Sequence, residues 1–441
     1  MKPSKKAITS GYVAQALNIG YGVLILPFML VFLSPAEVSY WLVLLSFLGL
    51  VMVFDFGFSP TITRNVAYVM SGAQTLQAQG VCSTNNSGEP NWKLFGQLYQ
   101  TVKKLYFYIA LIGLIVFGCF GTWYVNLFLD NNPIVYGWQV WLIFLIGFIF
   151  NLYFLFTQPL LMGIGSIYQA NMTNIIMRGL WLLLSLVGLW WFETILVMPI
   201  AYLLGVFFAR IYAYVVLNQK IVFIIFKKSR LLKVLLPNAW RLGVVMLGAF
   251  LINKATIFFA GIYFTADVSA SYMITLQVLS VVMALSNVYF QMHIPQLSGM
   301  QLELVSSKKK LYYKLVLVSL LIYAFFAFGI MLFGDLALSL LSTDIVLLPI
   351  SLLSLILFFG FLELHHSLAG MYITTLNEVP FVWSAVLSGS AIVGLIVFVF
   401  SYLKMDSMIW LILIQGLVQL AYNNWKWPLV VYKKLQEDKS E

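Results

Sequence analysis

Residues 240–264 read WRLGVVMLGAFLINKATIFFAGIYF, an apolar run with a single lysine, Lys254, near its middle. A membrane-spanning helix needs about 20 predominantly apolar residues, so this stretch predicts such a helix. A lysine at the bilayer centre costs about 2.5 to 3.5 kcal/mol on the insertion scale. Because Lys254 lies far from both ends of the run, its side chain does not easily reach the headgroups. We therefore expect Lys254 to face a watery cavity, a carboxylate or a negatively charged substrate.

The rest of the chain has a similar composition. Of its 441 residues, 62% are hydrophobic and 9% are charged, whereas a soluble domain carries about 25% charged residues. A chain with this composition cannot bury its apolar surface in water, so the bilayer must be its solvent. The apolar run 12–33 has full spanning length and no cleavage site, which predicts a retained first helix rather than a signal peptide.

The hydropathy pattern predicts an all-α polytopic membrane protein with about twelve transmembrane helices in two six-helix lobes. The candidate spans are residues 12–33, 39–58, 105–129, 138–157, 175–191, 195–217, 240–264, 270–292, 313–333, 345–364, 379–402 and 408–431. We assign residues 1–217 to an N-terminal lobe, 218–239 to a cytoplasmic interfacial linker and 240–441 to a C-terminal lobe. The linker mixes apolar residues with lysine and arginine, a pattern typical of a helix lying on anionic lipid.

The placement of lysine and arginine predicts the orientation. They concentrate at both termini and in the segments 59–104, 218–239 and 308–314. The opposite loops carry Lys404 as their only basic residue and are otherwise acidic. By the positive-inside rule, both termini of this multi-pass protein are cytoplasmic. The formal charge of +10 is therefore explained by topology, and no nucleic-acid partner is predicted.

The sequence contains no motif for enzyme chemistry. Two cysteines and three scattered histidines predict neither a disulfide framework nor a metal site. Phosphate-binding glycine loops, nucleophile elbows and zinc-protease motifs are absent. We accordingly predict a transporter without cofactor or metal. A glycan polymerase or ligase in the membrane remains an alternative, although every predicted periplasmic loop is short and acidic.

Polar side chains inside the spans are the candidate site residues. We assign six of them to substrate binding in a cavity: Lys254, Arg210, Arg178, Asn18, Gln15 and Gln291. Arg178 and Arg210 have an alternative role, since each is close enough to the cytoplasmic edge to reach headgroups. Two further amides within the spans, Gln277 and Asn287, suit hydrogen bonds between helices better than contact with a ligand. Because cations outnumber carboxylates at membrane depth, an anionic substrate is favoured, such as a lipid-linked pyrophosphate or an acidic sugar.

Two further charged residues, Asp55 and Arg64, are assigned to gating or ion coupling. Gly57 and Pro60, between Asp55 and Arg64, are expected to break the helix and let the chain turn back. A contact between this carboxylate and guanidinium would then form in one state and open in another. A structural role for Asp55, as a cap or as the partner of Arg64, is the alternative.

Two stretches resemble a known family. Residues 53–65, VFDFGFSPTITRN, resemble the signature that follows the second helix of Wzx-type flippases. Residues 362–367, LELHHS, and 375–381, TLNEVPF, resemble a pattern of O-unit flippase-like proteins. These families belong to the multidrug/oligosaccharidyl-lipid/polysaccharide exporter superfamily, and span number and loop spacing extend the resemblance over essentially the whole chain.

The resemblance implies a function and its partners. It implies two lobes around a central V-shaped cavity, alternating access, and dependence on an ion gradient. It also implies a gating or ion-coupling role for Glu363, His365 and Glu378 in the second lobe, beside that of Asp55 and Arg64 in the first. The substrate would be an undecaprenyl-pyrophosphate-linked oligosaccharide, the O-antigen repeat unit of lipopolysaccharide, moved from the cytoplasmic to the periplasmic leaflet. Membrane lipids, an O-antigen polymerase and a chain-length regulator would be partners. A drug/cation antiporter of the same superfamily is the second transport hypothesis, although the first lobe lacks the carboxylates expected of one.

Overall fold

The computed structural model describes residues 4–77, 89–220, 231–299, 305–341, 343, 345–376 and 378–437. These residues form α-helices and short π-helical turns, with no β-strand among them. The chain divides into two compact units, Met1–Leu247 and Gly248–Glu441. The predicted limits of the lobes and linker stay predictions. Residues 221–230 of that linker lie outside the described part of the chain.

Unit 1 contains ten helices among the residues described. They are α1 (Lys5–Phe32), α2 (Pro35–Leu48), α3 (Leu50–Asp55), α4 (Phe58–Met70), α5 (Trp92–Val116), α6 (Thr122–Asn131), α7 (Gly137–Phe154), α8 (Thr157–Gly163), α9 (Ile167–Phe192) and α10 (Val197–Lys220). A π-helical turn, Phe117–Gly121, joins α5 to α6. Helix α10 packs against α9 and α7, and α9 packs against α1.

Helix α11 (Leu232–Tyr263) begins in unit 1 and ends in unit 2. The other helices described in unit 2 are α12 (Ala266–Gly299), α13 (Val305–Ser339), α14 (Ile350–Thr375), α15 (Val382–Val397), α16 (Ile409–Ala421) and α17 (Asn423–Glu437). Helix α12 packs against α13 and α14, and α14 packs against α17.

Eleven helical stretches among the residues described are long and apolar enough to cross a membrane, and three of them combine two consecutive helices, α2 with α3, α5 with α6 and α7 with α8. Each corresponds to one of the first eleven predicted spans. Many of their large apolar side chains are exposed, including Phe325 and Phe328 of α13 at 74% and 62%. Such surface is stable against lipid rather than water. The chain is thus an all-α multi-pass membrane protein, as predicted.

The twelfth predicted span is not among these eleven stretches. It is divided at Tyr422 into α16, of 13 residues, and α17, of 15 residues. At about 1.5 Å rise per residue, either helix alone is shorter than the hydrocarbon core of about 30 Å. Asn423 directly after the break donates hydrogen bonds to Ser388 Oγ (3.0 Å) and Gln419 Oε1 (2.9 Å). These side-chain bonds fix the chain where the helical backbone pattern is interrupted.

Candidate functional site

Asp55 ends α3 at a sharp turn in unit 1. Phe56 and Gly57 adopt the left-handed conformation, with φ of 51° and 72°, and α4 begins at the next residue. The Asp55 carboxylate is 4% exposed and accepts hydrogen bonds from the Ser59 backbone N–H (3.1 Å) and the Ser59 hydroxyl (2.7 Å). The Tyr106 hydroxyl of α5 also donates to it. The predicted helix break is present, and the carboxylate satisfies the first turn of the new helix.

Arg64, the expected partner of Asp55, is exposed on α4. Within the described part of the chain, no ion pair joins the two residues. The chain geometry explains this difference. Ser59 is only four residues from Asp55, whereas Arg64 is nine residues away. Ser59 therefore donates to the carboxylate without a long side chain having to fold back along α4. The gating role of the pair stays a prediction about another conformational state.

Arg210 of α10 is linked to this carboxylate through Tyr106. Its guanidinium is 3% exposed and donates from Nε (2.9 Å) and Nη2 (2.8 Å) to the Asn151 side-chain oxygen on α7. The hydroxyl of Tyr106, which binds Asp55, interacts electrostatically with Arg210. Carboxylate, tyrosine and guanidinium therefore form one buried polar group that joins α3, α5, α7 and α10. Arg210 is held inside the protein rather than extended to headgroups.

Arg178 of α9 lies in an aromatic environment. Its guanidinium carbon is 5.9 Å from the ring centre of Tyr21 and 5.1 Å from that of Trp181. Both distances are within the range of cation–π attraction. The two rings are themselves in contact, with centroids 4.1 Å apart. Tyr202 of α10 interacts electrostatically with both Arg178 and Arg210, so the two arginines belong to a continuous polar region of unit 1.

Lys254 lies within the membrane-spanning part of α11, Leu242–Tyr263. It is partly buried and makes no hydrogen bond or ion pair with any residue that the structure describes. Its neighbour Asn253 satisfies its own amide by donating to the Ala249 carbonyl at 2.8 Å. Lys254 is therefore a cation at membrane depth without a described counter-charge.

The three predicted amide ligands are exposed side chains. Gln15 and Asn18 lie on α1, three residues apart, and Gln291 lies on α12. Neither Gln15 nor Asn18 takes part in the hydrogen bond that joins α1 to α9. Asn171 provides that bond by donating to the Ala7 carbonyl at 3.0 Å. The assignment of these amides to substrate binding stays a prediction.

The predicted gating residues of unit 2 lie in two separate contacts. Glu363 Oε1 is 3.3 Å from Nδ1 of His366, not of His365. The i,i+3 spacing on a helix brings these two side chains onto one face. Glu378 is exposed and pairs with Lys434 of α17 at 2.8 Å. A surface ion pair of this kind contributes about 0–1 kcal/mol, so this contact alone does not fix the packing of α17.

The sequence interpretation missed Tyr106 and Asn151. Asn151 had a detectable signal, because it is a polar residue within the otherwise apolar span 138–157. Tyr106 had none, since it is one of 24 tyrosines and nothing in its neighbourhood distinguishes it. Its role depends on Asp55, which is 51 residues away in sequence.

Comparison with known proteins identifies the fold. No protein-family model and no curated protein sequence matches the chain. An inward-facing multidrug resistance MATE family transporter of the MOP superfamily is similar, with a TM-score of 0.61, 14% identity, and coverage of 98% of this chain and 99% of that one. The lipid II flippase MurJ, in an inward closed conformation, is similar with a TM-score of 0.62, 13% identity, and coverage of 98% and 88%.

A MOP superfamily transporter from Pyrococcus furiosus is also similar, with a TM-score of 0.56 and 12% identity over all of both chains. Its structure is described as having a binding pocket of reverse polarity that suggests a different function. The three likenesses establish that this multi-pass membrane protein has the fold of MOP superfamily transporters. Drug transporters and a lipid flippase share that fold, so the fold does not select between their substrates.

Proposed function

We propose that the chain is a flippase for a lipid-linked anionic saccharide. The proposed substrate is the undecaprenyl-pyrophosphate-linked O-antigen repeat unit, moved from the cytoplasmic to the periplasmic leaflet of a bacterial inner membrane by alternating access. The observation that carries the proposal is Lys254, a cation at membrane depth without a described partner. A pyrophosphate or an acidic sugar would supply the missing negative charge.

The balance of buried charge supports an anionic rather than a cationic substrate. Asp55 is the only buried carboxylate among the described residues, and Ser59 and Tyr106 occupy its oxygens. An organic cation needs free carboxylates or an aromatic cage. The antiporter alternative is kept because a multidrug transporter is among the proteins of similar fold. No enzymatic role is proposed.

Reconstitution separates the two transport hypotheses. The purified chain is placed in liposomes that carry a fluorescent polyprenyl-pyrophosphate saccharide in both leaflets, and a membrane-impermeant quencher is added outside. A flippase makes the inner-leaflet pool accessible, whereas protein-free liposomes retain it. The same vesicles, loaded with a cationic dye, test for antiport under an imposed proton or sodium gradient. Dye movement without lipid movement would exclude the flippase hypothesis and support the antiporter hypothesis.

A further inference from the structure

The aromatic core of unit 1 contains polar groups that the protein does not satisfy. Tyr21 of α1, Trp41 of α2, and Trp181 and Ser185 of α9 are 4%, 0%, 1% and 0% exposed. The two hydroxyls and the two indole N–H groups make no hydrogen bond to any residue within the described ranges. Such groups are normally paired in a folded protein, and the bilayer provides no bulk water to pair them.

These four polar side chains lie close together. The polar neighbours of the Tyr21 hydroxyl are the side chains of Ser185, Trp41 and Trp181. The Trp181 ring centre is 4.1 Å from that of Tyr21 and 6.4 Å from that of Trp41. The groups thus approach each other from three helices without reaching the geometry of direct hydrogen bonds. The four groups therefore form one cluster of polar atoms without partners among the described residues.

The surrounding charge is positive. The Arg178 guanidinium carbon lies 5.1 Å from the Trp181 ring centre. Tyr202, whose hydroxyl is likewise unpaired among the described residues, connects Arg178 electrostatically to Arg210. Arg210 retains a buried Nη1 without a described acceptor. The one buried carboxylate described, Asp55, is already bound by Ser59 and Tyr106. The region therefore has more donors and positive charge than acceptors and negative charge.

An anion fits this chemistry better than water does. Indole and guanidinium nitrogens only donate hydrogen bonds. A water molecule among them could donate only to the two hydroxyl oxygens, and it would leave the Arg178 charge without a counter-ion. An anion accepts from every side and also balances a buried cation, whose isolation from water is otherwise unfavourable.

We propose that unit 1 binds one small monovalent anion, of the size of chloride or bromide, among Tyr21, Trp41, Trp181 and Ser185, with Arg178 as the balancing charge. The anion would hold α1, α2 and α9 together. This inference goes beyond the proposed translocation, because the site lies inside one unit and needs no lipid substrate.

Thermal unfolding of the purified full-length chain tests the proposal. Sodium gluconate, whose anion is too large for the site, is exchanged stepwise for sodium bromide at constant ionic strength. We expect a saturable rise of the unfolding temperature. Trp181→Phe and Ser185→Ala each remove one donor, and each should raise the half-saturating bromide concentration about tenfold or more, the effect of losing a charged hydrogen bond.

Trp190→Phe is the matched control, since Trp190 is on the same helix and 64% exposed. It should keep the bromide response of the unmodified chain. An equal response in all variants, or none in the unmodified chain, overturns the proposal. Anomalous diffraction from bromide-grown crystals of the unmodified chain provides a second test that does not depend on the variants. A bromide peak within hydrogen-bond distance of Tyr21 and Trp181 supports the site, and water density there instead rules it out.

Discussion

Three basic residues at membrane depth have three different environments. Arg210 is held by the Asn151 amide oxygen, Arg178 lies over two aromatic rings, and Lys254 has no described partner. A lysine is a compact charge on a flexible stem and loses its proton more readily than arginine when buried. The residue without protein contacts is therefore the strongest candidate for contact with a ligand.

Lys254→Ala should retain membrane insertion and lower the rate of lipid-linked saccharide translocation in the liposome assay by about tenfold or more, since a charge-assisted hydrogen bond contributes about 1.5–3 kcal/mol. Lys254→Arg should keep part of the activity because it keeps the charge. Asn253→Ala, at the exposed neighbouring position, is the control and should translocate normally. Normal translocation by Lys254→Leu would exclude the lysine as a substrate ligand.

Asp55→Asn should lower the free energy of unfolding by about 1–3 kcal/mol, the cost of an unsatisfied buried polar group. The new amide keeps only one acceptor oxygen, so its NH₂ group faces either the Ser59 backbone N–H, which cannot accept, or the two hydroxyls, which would have to stop donating. The measurement is thermal or denaturant unfolding in detergent. Asp130→Asn, at an exposed carboxylate, should leave stability unchanged. Equal stability of the two variants would contradict the hydrogen-bonded role of Asp55.

The turn between α3 and α4 is the element on which the proposed gate depends. Asp55 anchors it through Ser59, while Arg64 lies one and a half turns further along α4 with no described ion-pair partner. A structural role of Arg64 therefore predicts little effect of its loss. A gating role predicts lost transport from a protein that folds normally.

Arg64→Gln consequently distinguishes the two roles. We expect an unfolding temperature equal to that of the unmodified chain, because Arg64 is exposed and unpaired among the described residues. We also expect translocation to fall by at least about tenfold if the charge closes a gate with Asp55 in another state. Lys93→Gln, on the same predicted face of the membrane, controls for a general effect of removing a cytoplasmic charge. Translocation at the control rate would eliminate the gate.

Gly57 determines the shape of the same turn. Its φ is 72°, and a Cβ at this position would lie 2.5 Å from Leu242 Cβ and 2.9 Å from the Ala239 carbonyl oxygen of α11. Left-handed geometry alone costs an alanine about 1–2 kcal/mol, and the close approach adds to this. Gly57→Ala should therefore lower stability by at least about 1 kcal/mol.

Gly329→Ala is expected to change the free energy of unfolding in the opposite direction, by raising it. A Cβ there meets nothing within 4 Å, and alanine is favoured over glycine in a helix interior by about 0.8–1 kcal/mol. In detergent, the free energy of unfolding should thus be lower for Gly57→Ala and higher for Gly329→Ala than for the unmodified chain. A Gly57→Ala protein as stable as the unmodified chain would show that the turn relaxes without cost.

Topology is decided at the scale of the whole molecule. Eleven described helical stretches are long enough to cross, and an odd number of crossings would put the termini on opposite sides. Together, α16 and α17 extend from Ile409 to Glu437, which is sufficient for a twelfth crossing despite the break. The predicted cytoplasmic position of both termini thus depends on this pair acting as one span.

Cysteine labelling in intact cells tests the orientation. In a background with Cys82→Ser and Cys119→Ser, Ser87→Cys should resist a membrane-impermeant maleimide, and Asp406→Cys should react with it. Ser87 lies outside the described residues, and its position is predicted from charge alone. A reporter fused after Glu441 should show cytoplasmic activity. Reaction at position 87 would show that the orientation is opposite to the predicted one. A periplasmic reporter would show that α16 and α17 do not cross the membrane.

The sequence alone determined the class of the molecule and the course of its chain. Hydropathy is a local property, because twenty consecutive apolar residues must be helical in lipid whatever surrounds them. The positions of eleven spans, the break between Asp55 and Pro60, and the isolation of Lys254 within its own helix followed from this. The coarse fold followed from the same signal.

The tertiary structure alone decided what each buried charge meets. Arg210 donates to Asn151, which is 59 residues away in sequence. Asp55 binds Tyr106 rather than Arg64, which is nearer in sequence. Glu363 contacts His366 and not His365. Side chains on one helix face have many possible partners on neighbouring helices, and periodicity does not choose among them. The choice follows from helix packing, in which a single hydroxyl or amide at the correct depth satisfies a charge that water cannot reach.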